Sequence, residues 1–453
     1  MLSGTSAKPF YASNLVVYLL AAIIIWAPIP LASNRIWAWS ILHVLIAIAA
    51  VVHCVLAYRA RQPWVQAPWV SRFLAVPLAL ALYMFLQYSP LVPWLATASP
   101  FHTTLLLERT LYLSLYLWLL LVNLTTVARL KIFVVAIVAS GFIQAAYGAM
   151  LHLSGLSLSP VFGLPEGERA RGSFVYQNHY ANYLALCISM AIGWIISELQ
   201  ISGSSQGVKA KLRNAAALVL SSKMLLRMAV VVMIIGLILS RSRMGNSGFF
   251  VALGITALIA VFFYRQPPRF LKPLVVSIFI LDLVIIGAIF GVEKVKQRIE
   301  DTSFGSETRD EVVLHSLPII EQHWLTGTGA GSFYTVFPAY QQMPYSGFYD
   351  HAHNEYVQFA VEFGVPVTLL LGAWQLYALW LCLQTMRRRR TRFYQGLAFG
   401  AMMANLHILV HNTVDFNLQA PANTLLFVSI LAISHLVYYN DSKPKRLRRQ
   451  LTE

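Results

Sequence analysis

The sequence predicts an all-α, polytopic membrane protein of about twelve transmembrane helices, with one large outward loop that contains short helices of its own. Three observations lead to this fold class. The 453 residues are 58% hydrophobic and 11% charged, with a mean hydropathy of +0.62, against roughly half apolar and a quarter charged in soluble domains. Apolar runs long enough to span a bilayer, roughly 17 to 25 residues each, recur along the whole chain. Basic residues concentrate in the connectors between those runs, where a topology signal belongs. The formal net charge of +16 is therefore accounted for by the lipid bilayer, and no nucleic-acid partner is expected.

The runs fall at about 15–33, 36–57, 72–88, 107–127, 131–152, 179–199, 225–241, 245–264, 272–292, 358–384, 393–412 and 421–439. The first carries Trp26, Pro28 and Pro30 toward its end and is not followed by a small-residue cleavage site, so it reads as a retained helix. An even number of spans puts both termini on one side. Placing the termini and alternate loops inside gathers 24 of the 34 Lys and Arg residues there, which makes that side cytoplasmic. The clusters Arg387–Arg392 and Lys443–Arg449 read as anchors of this orientation, and the inner loop 200–224 as an amphipathic piece at the headgroups. Cys54, Cys187 and Cys382 lie inside apolar runs without ligand-like spacing and are expected to pack. Without repeats or low-complexity tracts, residues 1–453 read as a single membrane domain. Two outward segments are longer than a connector requires: 153–178, rich in turn formers, and 293–357. In the second, Val312, Val313, Leu317, Ile320 and Trp324 recur at helical spacing behind an acidic start at Ser306–Asp310, which predicts a short surface helix.

Chemistry concentrates in Tyr349-Asp350-His351-Ala352-His353-Asn354-Glu355-Tyr356, which runs through Glu362-Phe363-Gly364 into an apolar stretch. Ionisable groups at a membrane boundary are costly to desolvate, so such a cluster marks either a functional site facing a wet cavity or a polar anchor of a helix end. Ten basic residues remain on the disfavoured outer side: Arg35, Arg109, Arg169, Arg171, Arg241, Arg243, Lys294, Lys296, Arg298 and Arg309. Arg241 and Arg243 occupy a tight turn, Ser240-Arg241-Ser242-Arg243-Met244-Gly245. Arg171 opens a polar stretch that reaches Asn178 and His179. A guanidinium offers a rigid fork of donors matched to phosphate oxygens, so converging outward arginines suggest an anionic lipid-linked ligand, a diphosphate above all. Each could instead pair with a neighbouring glutamate or a lipid phosphate. No phosphate-cradling Walker loop and no Asp-x-Asp element appears in the outer loops. His351 and His353, with Asp350, His315 and His323, form no convincing metal ligand set, so neither metal nor cofactor is expected.

These motifs resemble the O-antigen ligase and O-antigen polymerase superfamily, the lipid A core O-antigen ligase-like membrane glycosyltransferases. His353-Asn354, nine residues and Gly364 resemble the ligase histidine motif, with Val367 where a further glycine is often found. Ser242-Arg243-Met244-Gly245 resembles the family's Ser-Arg turn. Leu325–Phe333 resembles the glycine-rich stretch ahead of the histidine, with Arg309 upstream, and Gly172–Ala181 also fits. The resemblance covers about residues 165–420 and rests on the order of the motifs.

It implies a metal-independent, inverting transfer of a glycan from an undecaprenyl-diphosphate carrier to an acceptor sugar hydroxyl. The acceptor is lipid A core for a ligase and another glycan for a polymerase. The enzyme would lie in the bacterial inner membrane with cytoplasmic termini and a periplasmic active site. His353, Arg243 and Arg171 would be catalytic: His353 as general base, the arginines neutralising the diphosphate leaving group together with Arg241 or Arg309. Asp350, Glu355 or Asn354 would orient the imidazole, and Asn178 and His351 complete the expected substrate-binding set. Asp415 is expected to be structural. A lipid-glycan flippase is the competing class. It should carry charge along a transmembrane cavity, whereas only Asp282 lies well inside a predicted span.

Overall fold

The computed structural model describes residues 13–61, 68–198, 222–265, 309–341 and 349–440, with isolated positions between 273 and 280. Among them helices dominate and no strand forms; one isolated β-bridge, Leu158 with Pro165, closes the turn-rich outer segment. In chain order the helices are α1 (Ser13–Trp26), α2 (Ile36–Arg59), α3 (Pro68–Tyr88), α4 (Pro100–Asn123), α5 (Val127–Ser154), α6 (Gln177–Glu198), α7 (Ser222–Leu239) and α8 (Arg243–Phe263). They continue as α9 (Arg309–Gln322), α10 (Phe333–Val336), α11 (Glu355–Phe363), α12 (Val365–Arg388), α13 (Arg392–His411) and α14 (Pro421–Tyr439). Nine of them, α2 to α6, α8 and α12 to α14, are long and apolar enough to cross a membrane, and α1 and α7 contain shorter apolar segments. The expected span 272–292 with Asp282 falls largely outside the described residues, as do most of the inner loop 200–224 and the Lys443–Arg449 cluster.

Three helix boundaries depart from the sequence reading, the first being the run expected at 15–33, whose helix ends at Trp26 ahead of Pro28 and Pro30. The run expected at 107–127 begins at Pro100, because proline at the first helical position is pre-set for the turn. Glu108 and Arg109 therefore sit within α4, so Asp282 is not alone in placing charge inside a span. The run expected at 358–384 is two helices. Gly364 breaks it with φ 79° and ψ 163°, a region essentially reserved for glycine, and a Cβ there would lie 2.6 Å from the Leu325 carbonyl oxygen. Apolar residues flank Gly364 on both sides, so hydropathy passes through the break.

α6 is buried along nearly its whole length and packs against α13. A Cβ on Gly193 would lie 2.5 Å from the Gly396 carbonyl oxygen, and one on Gly400 2.6 Å from the Ser189 carbonyl oxygen. Small residues thus bring the two backbones into contact, as at other close membrane-helix crossings. The expected surface helix is α9, followed by the single-turn α10. With α11 they enclose a small core of Val312, Ile319, Phe333, Phe337, Ala352 and Val361 beside the bundle.

Candidate active site

α11 starts where its sequence demands. Asn354 is its N-cap, with Oδ1 accepting from the backbone N–H of Tyr356 at 3.1 Å and of Val357 at 3.2 Å, which satisfies two donors that a helix start leaves orphaned. The N–H of Glu355 donates to the carbonyls of Asn412 and Asp415 at 3.0 and 3.1 Å, fastening α11 to the turn between α13 and α14. Just before the cap, His353 adopts φ 50°, a left-handed conformation uncommon outside glycine.

Phe416, from that same turn, organises the aromatic groups. His351 stacks on its ring at 4.3 Å between centroids, and His353 and His179 meet it edge-on at 4.8 Å each. Tyr176 stacks at 5.7 Å. His351 is held a second time, with Nδ1 3.2 Å from Gln358 Oε1. Burial lowers its imidazole pKa below the ordinary value, against the opposing pull of Asp350. Asn178 Nδ2 donates to Asp415 Oδ2 at 2.6 Å and to the Tyr176 hydroxyl at 2.7 Å. Asp415 is itself buried, 3.8 Å from His411 Nε2, within the network that seats Phe416.

Two buried carboxyls line α11. Glu355 accepts from the Leu418 N–H at 2.9 Å and from Gln419 Nε2 at 2.8 Å, yet burial outweighs these bonds and raises its pKa to about 8. Glu362 accepts from the Gly331 N–H at 2.9 Å and from Gln358 Nε2 at 3.1 Å, with burial raising it to about 7. Gln358, whose Oε1 also lies 3.3 Å from the Ala352 N–H, relays Glu362 to the histidine loop. The glycine-rich stretch wraps the other end of α11. The N–H groups of Thr328 and Gly329 donate to the carbonyls of Val361 and Glu362 at 2.8 and 3.0 Å.

Beside this cluster lies a cavity of about 220 Å³ between α2, α3, α4, α12 and α14. Its walls are chiefly apolar, including Leu42, Leu80, Leu113 and Phe427. Its polar groups include Arg109, His43, Glu355, Glu362, Gln375, Asn412 and Gln419.

His351, His353, Asn354, Glu355 and Asn178 thus belong to one cluster, with Asp350 exposed at its rim. Of the candidates for orienting His353, Asn354 is engaged as the helix cap and Glu355 by Leu418 and Gln419. The arginines expected to converge divide differently. Arg171 bonds the carbonyls of Pro165 and Val175 and lies 3.9 Å from Glu166, and Arg241 lies 3.3 Å from Glu168. Both therefore pair with acids of the 153–178 segment. Arg243 is exposed at the start of α8 behind its N-cap Ser242, and Arg309 opens α9.

Sequence reasoning missed Phe416, Gln358, Glu362 and Arg109 as site residues. Glu355, Gln358 and Glu362 follow at helical spacing and so form a legible polar face. An aromatic residue at a helix end, such as Phe416, reads only as packing.

A helical membrane bundle with a buried histidine and carboxylate cluster beside an apolar cavity defines the class: a membrane protein built to meet an amphipathic ligand. The family described as O-antigen ligase matches residues 228–372, from within α7 through the histidine loop into α12 and about a third of the chain. That match supports a membrane glycosyltransferase of the O-antigen ligase and polymerase type for the matched segment. No curated protein matches it.

Proposed function

We propose that this protein transfers a glycan from undecaprenyl diphosphate to a sugar hydroxyl of an acceptor at the periplasmic face, in the manner of an O-antigen ligase. The observation that carries this reading is His353, in a left-handed conformation before the Asn354 cap and edge-on to the Phe416 ring, two residues from Glu355, which lines an apolar cavity. In this mechanism the acceptor oxygen attacks the anomeric carbon as the bond to the diphosphate oxygen breaks. Configuration inverts, the hydroxyl proton passes to His353, and undecaprenyl diphosphate departs with the bonding electron pair. Arg243 and Arg171 offset its charge, with Arg241 and Arg309 as further contacts. Asn178, Asn354, His351, Asp350 and Glu355 shape the pocket around the reacting sugars. A polymerase differs in using a second lipid-linked glycan as acceptor.

The test is release of undecaprenyl diphosphate by purified protein in lipid nanodiscs, with lipid A core or a lipid-linked glycan supplied as acceptor. Acceptor-dependent release that persists in EDTA is expected. Movement of intact donor across the bilayer without release would instead identify a flippase.

The periplasmic placement carries its own expected result. Ser173 is buried, with its hydroxyl donating to the Pro28 carbonyl at 2.6 Å, so the exposed Gly167 is the better outward reporter. A Gly167→Cys variant should react with an impermeant thiol reagent in spheroplasts, and Ala60→Cys, exposed at the end of α2, should react only after lysis. The reverse pattern overturns the orientation.

A further inference from the structure

Arg109 lies in α4, outside the segment matched by the family. Its guanidinium stands 3.0 Å over the Trp39 indole of α2, and the residue lines the cavity that Glu355 and Glu362 also line. Its Nε is buried without a hydrogen-bond acceptor, and no carboxylate lies within ion-pair distance of it, both among the described residues. The adjacent Glu108 has Oε1 3.1 Å from His43 Nδ1 and acts on Arg109 through its charge without pairing with it. Cation–π contact offsets part of the desolvation of such a group, but a guanidinium inside a membrane bundle normally marks a partner or a ligand pathway. Arg171 and Arg241 already answer to Glu166 and Glu168. Arg109 makes no such ion pair among the described residues.

The rest of the cavity fits the same ligand. Glu355 and Glu362 line the same cavity, and burial raises their pKa values to about 8 and about 7. The positive charge of Arg109 reaches His351 and lowers its pKa further, which puts the cation within electrostatic range of the histidine loop. Leu42, Leu80, Leu113 and Phe427 give the same cavity apolar walls.

We propose that Arg109, held over Trp39, anchors the diphosphate of a polyisoprenyl-diphosphate lipid whose hydrocarbon chain enters the cavity between α2, α3, α4, α12 and α14. The inference rests on the donor class given under Proposed function. It adds a diphosphate-binding residue from the amino-terminal half of the bundle and a direction for the lipid chain. A planar fork suits a diphosphate better than a lysine does, so Arg109→Lys should retain part of the affinity and Arg109→Gln little.

The test measures binding of labelled farnesyl diphosphate to the full-length protein in nanodiscs. Arg109→Gln should weaken binding at least tenfold and Arg109→Lys about threefold or more, since loss of a charge-assisted pair costs about this much. His353→Ala should bind within about twofold of wild type, because a proton-transfer group contributes to turnover more than to donor affinity. Unchanged affinity in a folded Arg109→Lys variant would overturn the proposal even if Arg109→Gln fails to fold. So would failure of the wild type to bind farnesyl diphosphate, or equal displacement by phosphatidylglycerol, which would make the cavity a phospholipid seat. Undecaprenyl diphosphate release separates this result from the parent reading. Release with no Arg109 dependence of binding leaves the transferase and removes the anchor. Arg109-dependent binding without release does the opposite.

Discussion

Turnover in His353→Ala should fall by roughly 10²–10⁴-fold, the range for a lost acid–base group, while donor affinity changes little. The control is two residues away. His351 is pinned by stacking on Phe416 and by Gln358, so His351→Ala should lower thermal stability and reduce turnover by a smaller factor. Undecaprenyl diphosphate release, measured for both variants at matched folded concentration, decides between them. A larger loss of turnover in His351→Ala, or near-normal turnover in folded His353→Ala, would remove His353 from the role of base.

Relative to Glu362→Gln, the wild type should lose thermal stability as pH rises from about 4.5 to 7. Burial holds the Glu362 pKa at about 7, above the ordinary 4.5, so the folded state binds the proton more tightly than the unfolded chain. Its contribution is fully present below pH 4.5 and is lost as pH climbs through 7, by on the order of 3 kcal/mol. Glu355, raised to about 8, extends the loss by about one further pH unit. Melting temperatures of wild type and Glu362→Gln between pH 4 and 8 test this, and parallel curves would show that Glu362 does not titrate in that range. Glutamine keeps an acceptor for the Gly331 N–H, so the variant is expected to fold.

The helices were legible because membrane spans are long apolar runs, and a window of about 20 residues finds them with little help from tertiary contacts. Boundaries were less so. Gly364 hides between apolar neighbours, and Pro100 starts α4 ahead of a polar stretch containing His102, Thr103 and Thr104 that lowers local hydropathy. Of the site, the residues joined by sequence were readable: His351, His353, Asn354 and Glu355 announce themselves as a polar cluster at a helix start. The groups joined only by folding were not. Phe416 reaches the histidines from the α13–α14 turn, and Arg109 was counted among the outward charges because nothing local marks it as facing a cavity. The partners of two outward arginines were not readable for a related reason, since Glu166 and Glu168 pair with Arg171 and Arg241 only through the fold.

The glycine crossing of α6 and α13 has a consequence at the amino-terminal end of α6. Where two helices meet backbone to backbone, their spacing is set by covalent dimensions, and no rotamer can adjust it. From Gly193 the helix rises to Asn178, about 22 Å away at 1.5 Å per residue. There Asn178 grips Asp415, which follows the last turn of α13. The crossing therefore acts as a gauge block in the bilayer interior for a clamp that closes at its edge. A single methyl group added at Gly193 would be felt as a change of register between the Phe416 seat and the residues of α6 that face it.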